Sequence, residues 1–240
     1  MSTTHLPGNK NLKICQVDVG QRRNVDIVCG ASNVEVGCRV VAAMPGSSLP
    51  GGKIQFVSLT LTVRNPEGCC FPADDLNLDY SADNSAGVLV LDSTAPVGNT
   101  LNDYLQVDDH IIDIDLTPNR GDCLSVQGIA RELHALTGGK LTGPALKSVK
   151  ATSKHIVQLE IQAPNDAPRY VGRVIDGIVS QSKTPDWMRE RLRRCGLRSI
   201  GTVVDITNYV MLELGQPLHA FDLKKIKEKI VVRHSRKGET

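Results

Sequence analysis

The chain has 240 residues, of which 40% are hydrophobic and 22% charged, a soluble globular composition with room for one or two ordinary cores. No apolar run approaches membrane-spanning length and no charged-then-apolar leader opens the text, so the expected compartment is the cytoplasm, with no membrane partner. A formal charge of +2 with only 3% aromatic residues leaves any nucleic-acid binding to local clusters and backbone contacts, not to the overall field or to stacked bases.

From Leu12 to about Asp103 the text breaks into short apolar runs at Leu12–Val19, Asn24–Cys29, Cys38–Ala43, Lys53–Arg64 and Val88–Asp92, separated by Gly, Pro and Asn signals. That spacing predicts a small β-barrel, such as an OB fold, over residues 1–106. Lys13, Arg22, Arg23 and Lys53 are scattered among its turns and read as solvated surface. Seven cysteines form an odd set without a C-x-x-C pair or a histidine at zinc-finger spacing, which predicts buried, reduced thiols and no metal site.

From Asp109 strands and helices alternate, predicting an α+β module over residues 107–240. Apolar and acidic side chains nearly alternate in Ile111–Leu116, the period of a half-buried strand. Thr117-Pro118-Asn119-Arg120-Gly121 then forms a turn, Asp122 is placed to cap a helix, and Leu124, Ile129, Leu133 and Leu136, with Val126 and Ala130, are its expected buried face before Gly138-Gly139 ends it. His155–Ala163 and Tyr170–Val179 read as strands. Thr184 is expected to cap a helix starting at Pro185, with Trp187, Met188, Leu192 and Cys195 apolar and Gly196 as its end. Ser199 is expected to cap the next, which turns Val203, Ile206, Val210 and Leu214 inward and stops at Gly215-Gln216-Pro217.

Arg189, Arg191, Arg193, Arg194 and Arg198 crowd one helix end. Arginines there complement the helix dipole and cover apolar surface, and they equally suit phosphate, which a planar guanidinium grips with two parallel donors. Arg189, Arg193 and Arg194 are the candidate RNA contacts. His219, among apolar neighbours in Pro217–Phe221, reads by its own context as a core histidine satisfied by a carbonyl. No P-loop, helix-opening G-x-G-x-x-G, H-E-x-x-H or G-x-S-x-G occurs, so neither ATP chemistry nor a catalytic triad is written in this chain.

Longer strings say more. T-P-N-R-x-D-x-L-S followed by G-I-A-R-E-L, D-I-V-C-G-A-S-N at Asp26–Asn33, P-G-x-x-L-P at Pro45–Pro50, and R-R-C-G-L-R-S-I with V-V-D-I-T-N-Y-V-M-L-E-L-G-Q-P-L-H-A-F-D over Arg193–Asp222 occur in this order. Together they resemble the β subunit of bacterial phenylalanyl-tRNA synthetase across nearly the whole chain. The resemblance implies a tRNA-binding OB domain over 1–106, its first strand missing, and the N-terminal part of an editing module over 107–240, so that the chain is expected to start late and stop part-way. It implies an editing pocket containing His219, Thr207 and Asn208, with Arg198 binding substrate; Tyr209 and Asp205 beside them read as packing and capping residues. A catalytic α subunit in an α2β2 assembly and tRNA are the implied partners. No cofactor is expected in this chain, whereas the whole enzyme would use ATP and Mg2+. A free-standing deacylase of mischarged tRNA and a non-catalytic tRNA-binding accessory protein are the two rival readings.

One passage departs from the family. Phe56–Pro72 should contain S-x-G-M-L-x-S but reads FVSLTLTVRNPEGCCFP. Re-reading Asn65–Pro72 with each codon shifted across its boundary yields Ser-Arg-Gly-Met-Leu-Phe-Ser, so a frame slip is the expected cause, and Cys69-Cys70 is not read as a redox or metal site.

Overall fold

The computed structural model describes residues 3–6, 9–47, 69–70, 72–76, 78, 87–179 and 182–239. In chain order its elements are β1 (Thr3–Leu6), β2 (Asn9–Val17), β3 (Val25–Cys29), β4 (Arg39–Val40), β5 (Ala42–Ala43), β6 (Cys69–Cys70), β7 (Val90–Leu91), α1 (Leu101–Leu105), α2 (Val126–Thr137), β8 (Gln158–Ile161), α3 (Asp186–Arg194), α4 (Thr202–Leu214) and β9 (Lys229–Val232). This mixture of helix and open sheets is compatible with the α+β class. It divides into two compact units, Met1–Asp115 with Lys183–Asp205, and Leu116–Ser182 with Ile206–Thr240.

In the first unit β1, β2 and β3 form an antiparallel sheet, with Cys15 opposite Ile27 and Val17 opposite Val25. Successive strand side chains face opposite ways, so Cys15, Val17, Val25, Ile27 and Cys29 share one face and build a core with Val34, Cys70 and Val88. Two short antiparallel pairs, β4 with β7 and β5 with β6, flank it. Asn33 pins the loop after β3 by donating to Val88 O (2.9 Å) and accepting from Val88 N (3.1 Å). Gly20 and Gly98, both at positive φ, allow a close backbone approach, since a Cβ on Gly20 would lie 2.7 Å from Gly98 Cα. The strand expected over Lys53–Arg64 and the re-read segment, apart from Cys69, Cys70 and Pro72, lie outside the described residues.

Helix α1 was not anticipated. Thr100 Oγ1 accepts from Asp103 N (3.1 Å) and donates to Asp103 Oδ2 (2.7 Å), a local cap that starts the helix. Helix α3 packs in the same unit through paired aspartates: Asp186 Oδ2 accepts from Asp92 N (2.8 Å) and Tyr104 Oη (3.0 Å), while Asp92 Oδ2 accepts from Asp186 N (3.0 Å). Burial and the Asp186 carboxylate push the Tyr104 phenol well above its ordinary range. The helix starts at Asp186, after Pro185, and Thr184 does not cap it; Met188 and Leu192 are buried as expected, whereas Trp187 and Cys195 are exposed.

The second unit corrects several expectations. Ile111–Leu116, all but its last residue in the first unit, and Tyr170–Val179, in the second, form no strand; Ile112 is 79% and Val171 74% exposed. A strand is stabilised by a ladder partner and a covered face, and neither segment has a ladder among the described residues. The partner of β8 is instead β9, parallel to it with Glu160 opposite Val231. The cap of α2 is Ser125, whose hydroxyl accepts from Gly128 N (3.0 Å), and not Asp122, which lies in a preceding 3-10 turn at Gly121–Cys123. Arg120 holds that turn to α2 by donating to both Asp122 (3.0 and 3.1 Å) and Glu132 Oε1 (3.1 Å). Hydrogen bonding from Arg120 first holds both carboxyls below their usual range. Leu124, Val126, Leu133 and Leu136 are exposed, not buried; Cys123, Ser125 and Gly128 are the buried positions here. Among the described residues, no helix is long and apolar enough to cross a membrane.

The turn presses on α2 at Gly128, where an added Cβ would sit 1.9 Å from Asp122 O. Alanine favours a helix interior by about 1 kcal/mol over glycine, but forcing backbone apart typically costs about 1–3 kcal/mol. Gly128→Ala is therefore expected to lower the thermal midpoint by several degrees, read by circular dichroism; a raised midpoint would show that the turn does not press on the helix.

Candidate functional site

The segment carrying most candidate residues is organised by Asp205, fully buried in the first turn of α4. Its carboxylate accepts from Thr184 Oγ1 (2.5 Å), Ser199 Oγ (2.5 Å), Ile200 N (2.9 Å) and Gly201 N (3.5 Å). Burial alone would raise its pKa, but these donors together outweigh burial and hold the carboxyl below its ordinary value. Ser199 thus serves Asp205 and does not cap the helix directly: Asp205 reaches back to the amides before it. Thr184, buried with it, is a site-organising residue that the sequence assigned to a different helix.

Thr207 and Asn208 follow half-buried within α4. Gly215, at φ 77°, ends that helix with its N–H on Met211 O, as the stop signal implied. His219 then lies exposed, its ring centroid 4.5 Å from that of Phe221 and tilted by 43°. The core-histidine reading is corrected, because the residue is exposed. Thr207, Asn208 and His219 belong to the second unit, and Arg198, also exposed, to the first.

The arginine cluster is largely neutralised. Arg189 is only 2% exposed and its Nη1 lies 3.6 Å from Asp186 Oδ1, which corrects its reading as an RNA contact: a guanidinium inside the protein presents no donors to phosphate. Arg193 donates twice to Glu190 (3.0 and 2.9 Å). Arg194 meets Asp109 (2.8 Å) and the Leu105 carbonyl, and Arg191 lies 5.9 Å over the Trp187 ring. An open hollow of about 460 Å3 beside Arg194 is lined by Asn102, Asp103, Gln106, Asp108 and Asp109, an acidic set.

All seven cysteines are free thiols. Hydrogen bonding from Cys70 lowers Cys29 to about 6, and the same pairing pushes Cys70 up. Among the described residues no group of three or more His, Cys, Asp or Glu is arranged to hold a metal ion.

Comparison with known proteins bears on this segment directly. A family model described as the B3/4 domain matches residues 166–240, which include α3, α4 and His219. The whole chain is similar to phenylalanine–tRNA ligase β subunits. It is 46% identical over 233 residues to that of Methylococcus capsulatus and 45% identical over 233 residues to that of Coxiella burnetii, covering 97% of this chain and 29% of each relative. The Pectobacterium atrosepticum β subunit is 43% identical over 234 residues, 98% of this chain and 29% of its own length. These relatives are subunits of an aminoacyl-tRNA synthetase, and the chain spans less than a third of their length.

Asp205 provides the test of this architecture. A carboxyl held low contributes stability above its unfolded value, about 3.9, and loses it as pH falls through the lower folded value. Asp205→Ala is expected to destabilise the chain by about 2–4 kcal/mol at neutral pH, leaving the hydroxyls of Thr184 and Ser199 and two amides without their acceptor. Asp205→Asn, which keeps one acceptor oxygen, is expected to lose less and to flatten the decline below about pH 4. Urea unfolding from pH 3 to 7 measures both, and an Asp205→Ala protein as stable as the parent would remove Asp205 from this role.

Proposed function

We propose that this chain is a β-subunit portion of a phenylalanine–tRNA ligase that contributes tRNA binding and hydrolytic proofreading of tyrosyl-tRNA made with the phenylalanine tRNA. The carrying observation is identity of 43–46% to such β subunits along 97–98% of the chain, including the stretch with Thr207, Asn208 and His219. The reading includes an OB-type barrel in residues 1–106, a cytoplasmic location and an α-subunit partner in an α2β2 enzyme. ATP and Mg2+ serve aminoacylation there, and this chain by itself charges no tRNA.

The chemistry needs such a site. Tyrosine adds one hydroxyl to phenylalanine, and an apolar pocket rejects an isostere with an added hydroxyl by only about a hundredfold. A second site that accepts the hydroxyl removes the error by hydrolysing the ester. His219 suits that step because its ring is exposed, and an imidazole can orient or polarise water. Thr207 and Asn208 offer a hydroxyl and an amide to the ester carbonyl, and the exposed Arg198 offers a cation to the substrate.

In a full-length β subunit with its α partner, His219→Ala is expected to slow deacylation of preformed tyrosyl-tRNA about a hundredfold while phenylalanine charging stays nearly intact. Thr207→Ala and Asn208→Ala should slow it less. Wild-type deacylation by a folded His219→Ala enzyme would refute the assignment.

A further inference from the structure

We propose that the lysine-rich segment Lys140–Lys154 is a phosphate-backbone contact for tRNA, resting on the reading that this chain binds tRNA. The small net charge conceals an asymmetry. The second unit carries fifteen Lys and Arg against nine Asp and Glu, whereas the first carries thirteen against seventeen. The overall +2 is thus the sum of a basic unit and an acidic one.

Within the basic unit one stretch carries positive charge with no acidic residue in it, whereas 224–237, richer in Lys and Arg, also holds Glu228 and the paired Lys229 and Arg233. Between Glu132 and Glu160 there is no acidic residue, and Lys140, Lys147, Lys150 and Lys154 all lie there. All four are exposed, and among the described residues none of them is in an ion pair. Most other basic side chains with a defined partner are compensated: Lys183 by Asp186, Lys229 by Glu160, Arg233 by Glu239, and Arg189, Arg193 and Arg194 as above. An uncompensated cation attracts a polyanion, while one already paired releases little on binding.

The backbone suits this partner. Lys140 to Lys154 runs as irregular, exposed chain, which when extended reaches roughly 50 Å at most and can follow successive phosphates. The absence of Phe, Tyr and Trp between Glu132 and Glu160 removes base stacking and leaves sequence-independent charge contacts. A membrane surface would instead favour an amphipathic helix with aromatic anchors.

The test is fluorescence anisotropy of labelled phenylalanine tRNA transcript titrated with the 240-residue chain between about 50 and 300 mM KCl, the range over which counterion release is pronounced. Replacing all four lysines by alanine is expected to weaken binding on the order of a hundredfold and to flatten the slope of log affinity against log salt by about three units. Replacing all four by arginine should preserve the slope, separating charge from any disturbance of folding. Arg193→Ala with Arg194→Ala should leave it nearly unchanged. A wild-type slope in the alanine variant, flattening by the arginine pair instead, or no binding by the parent at 50 mM KCl would overturn the proposal. Displacement by polyglutamate as readily as by unlabelled tRNA would also overturn it, assigning the segment to acidic partners in general. No binding by the parent would remove the tRNA-binding reading together with this proposal, whereas a wild-type slope in the alanine variant would overturn this segment alone and leave that reading standing.

Discussion

A carboxylate can stay ionised inside a protein only where donors replace its water, and the first unit is arranged around that requirement at Asp186. Its side chain is 2% exposed and receives the Asp92 amide and the Tyr104 hydroxyl, with Lys183 and Arg189 each 3.6 Å away. Because these groups come from the end of β7, from α1 and from α3, satisfying one buried charge fixes the packing of all three elements. The return bond from Asp186 N to Asp92 makes the clasp reciprocal. Removal of one partner would leave another uncompensated, which is why buried pairs are far more costly to break than exposed ones.

The same arrangement decides what the arginines of α3 can do. Glu190 is buried with Asp186 and takes two bonds from Arg193, and Arg194 turns to Asp109 and the Leu105 carbonyl. A cluster dense with positive charge in the sequence is therefore a set of internal ties in the fold. Its neighbouring hollow is acidic. In the other unit Lys140, Lys147, Lys150 and Lys154 are exposed and, among the described residues, in no ion pair.

What could be read in advance follows from how local each cause is. Cys15–Val17 and Val25–Cys29 were legible because period-two burial is a property of the strand itself, and the stops at Gly138 and Gly215 because positive φ needs glycine at those turns. The capping role of Asp205 was legible in outline, while its Thr184 donor, twenty-one residues away, was not. The apolar stripe on α2 has the right period, yet period says nothing about what lies opposite, and Leu133 and Leu136 are exposed. Alternation in Ile111–Leu116 misled for the same reason. The split of Lys183–Asp205 from its sequence neighbours depends on the Asp92–Asp186 clasp, whose halves are ninety-four residues apart.

The residues of the candidate site divide by the same physics. Asp205 and Thr184 are buried and bonded to each other, and the half-buried Ser199 donates to the same carboxylate, so these three side chains serve to set the position of α4. Thr207 and Asn208 lie along that helix at intermediate depth, and His219 stands beyond its end in contact with water. The proposed ester hydrolysis would draw on this gradient: a rigid base limits the freedom of the groups that orient an ester, and an exposed imidazole is open to the water that is the second reactant.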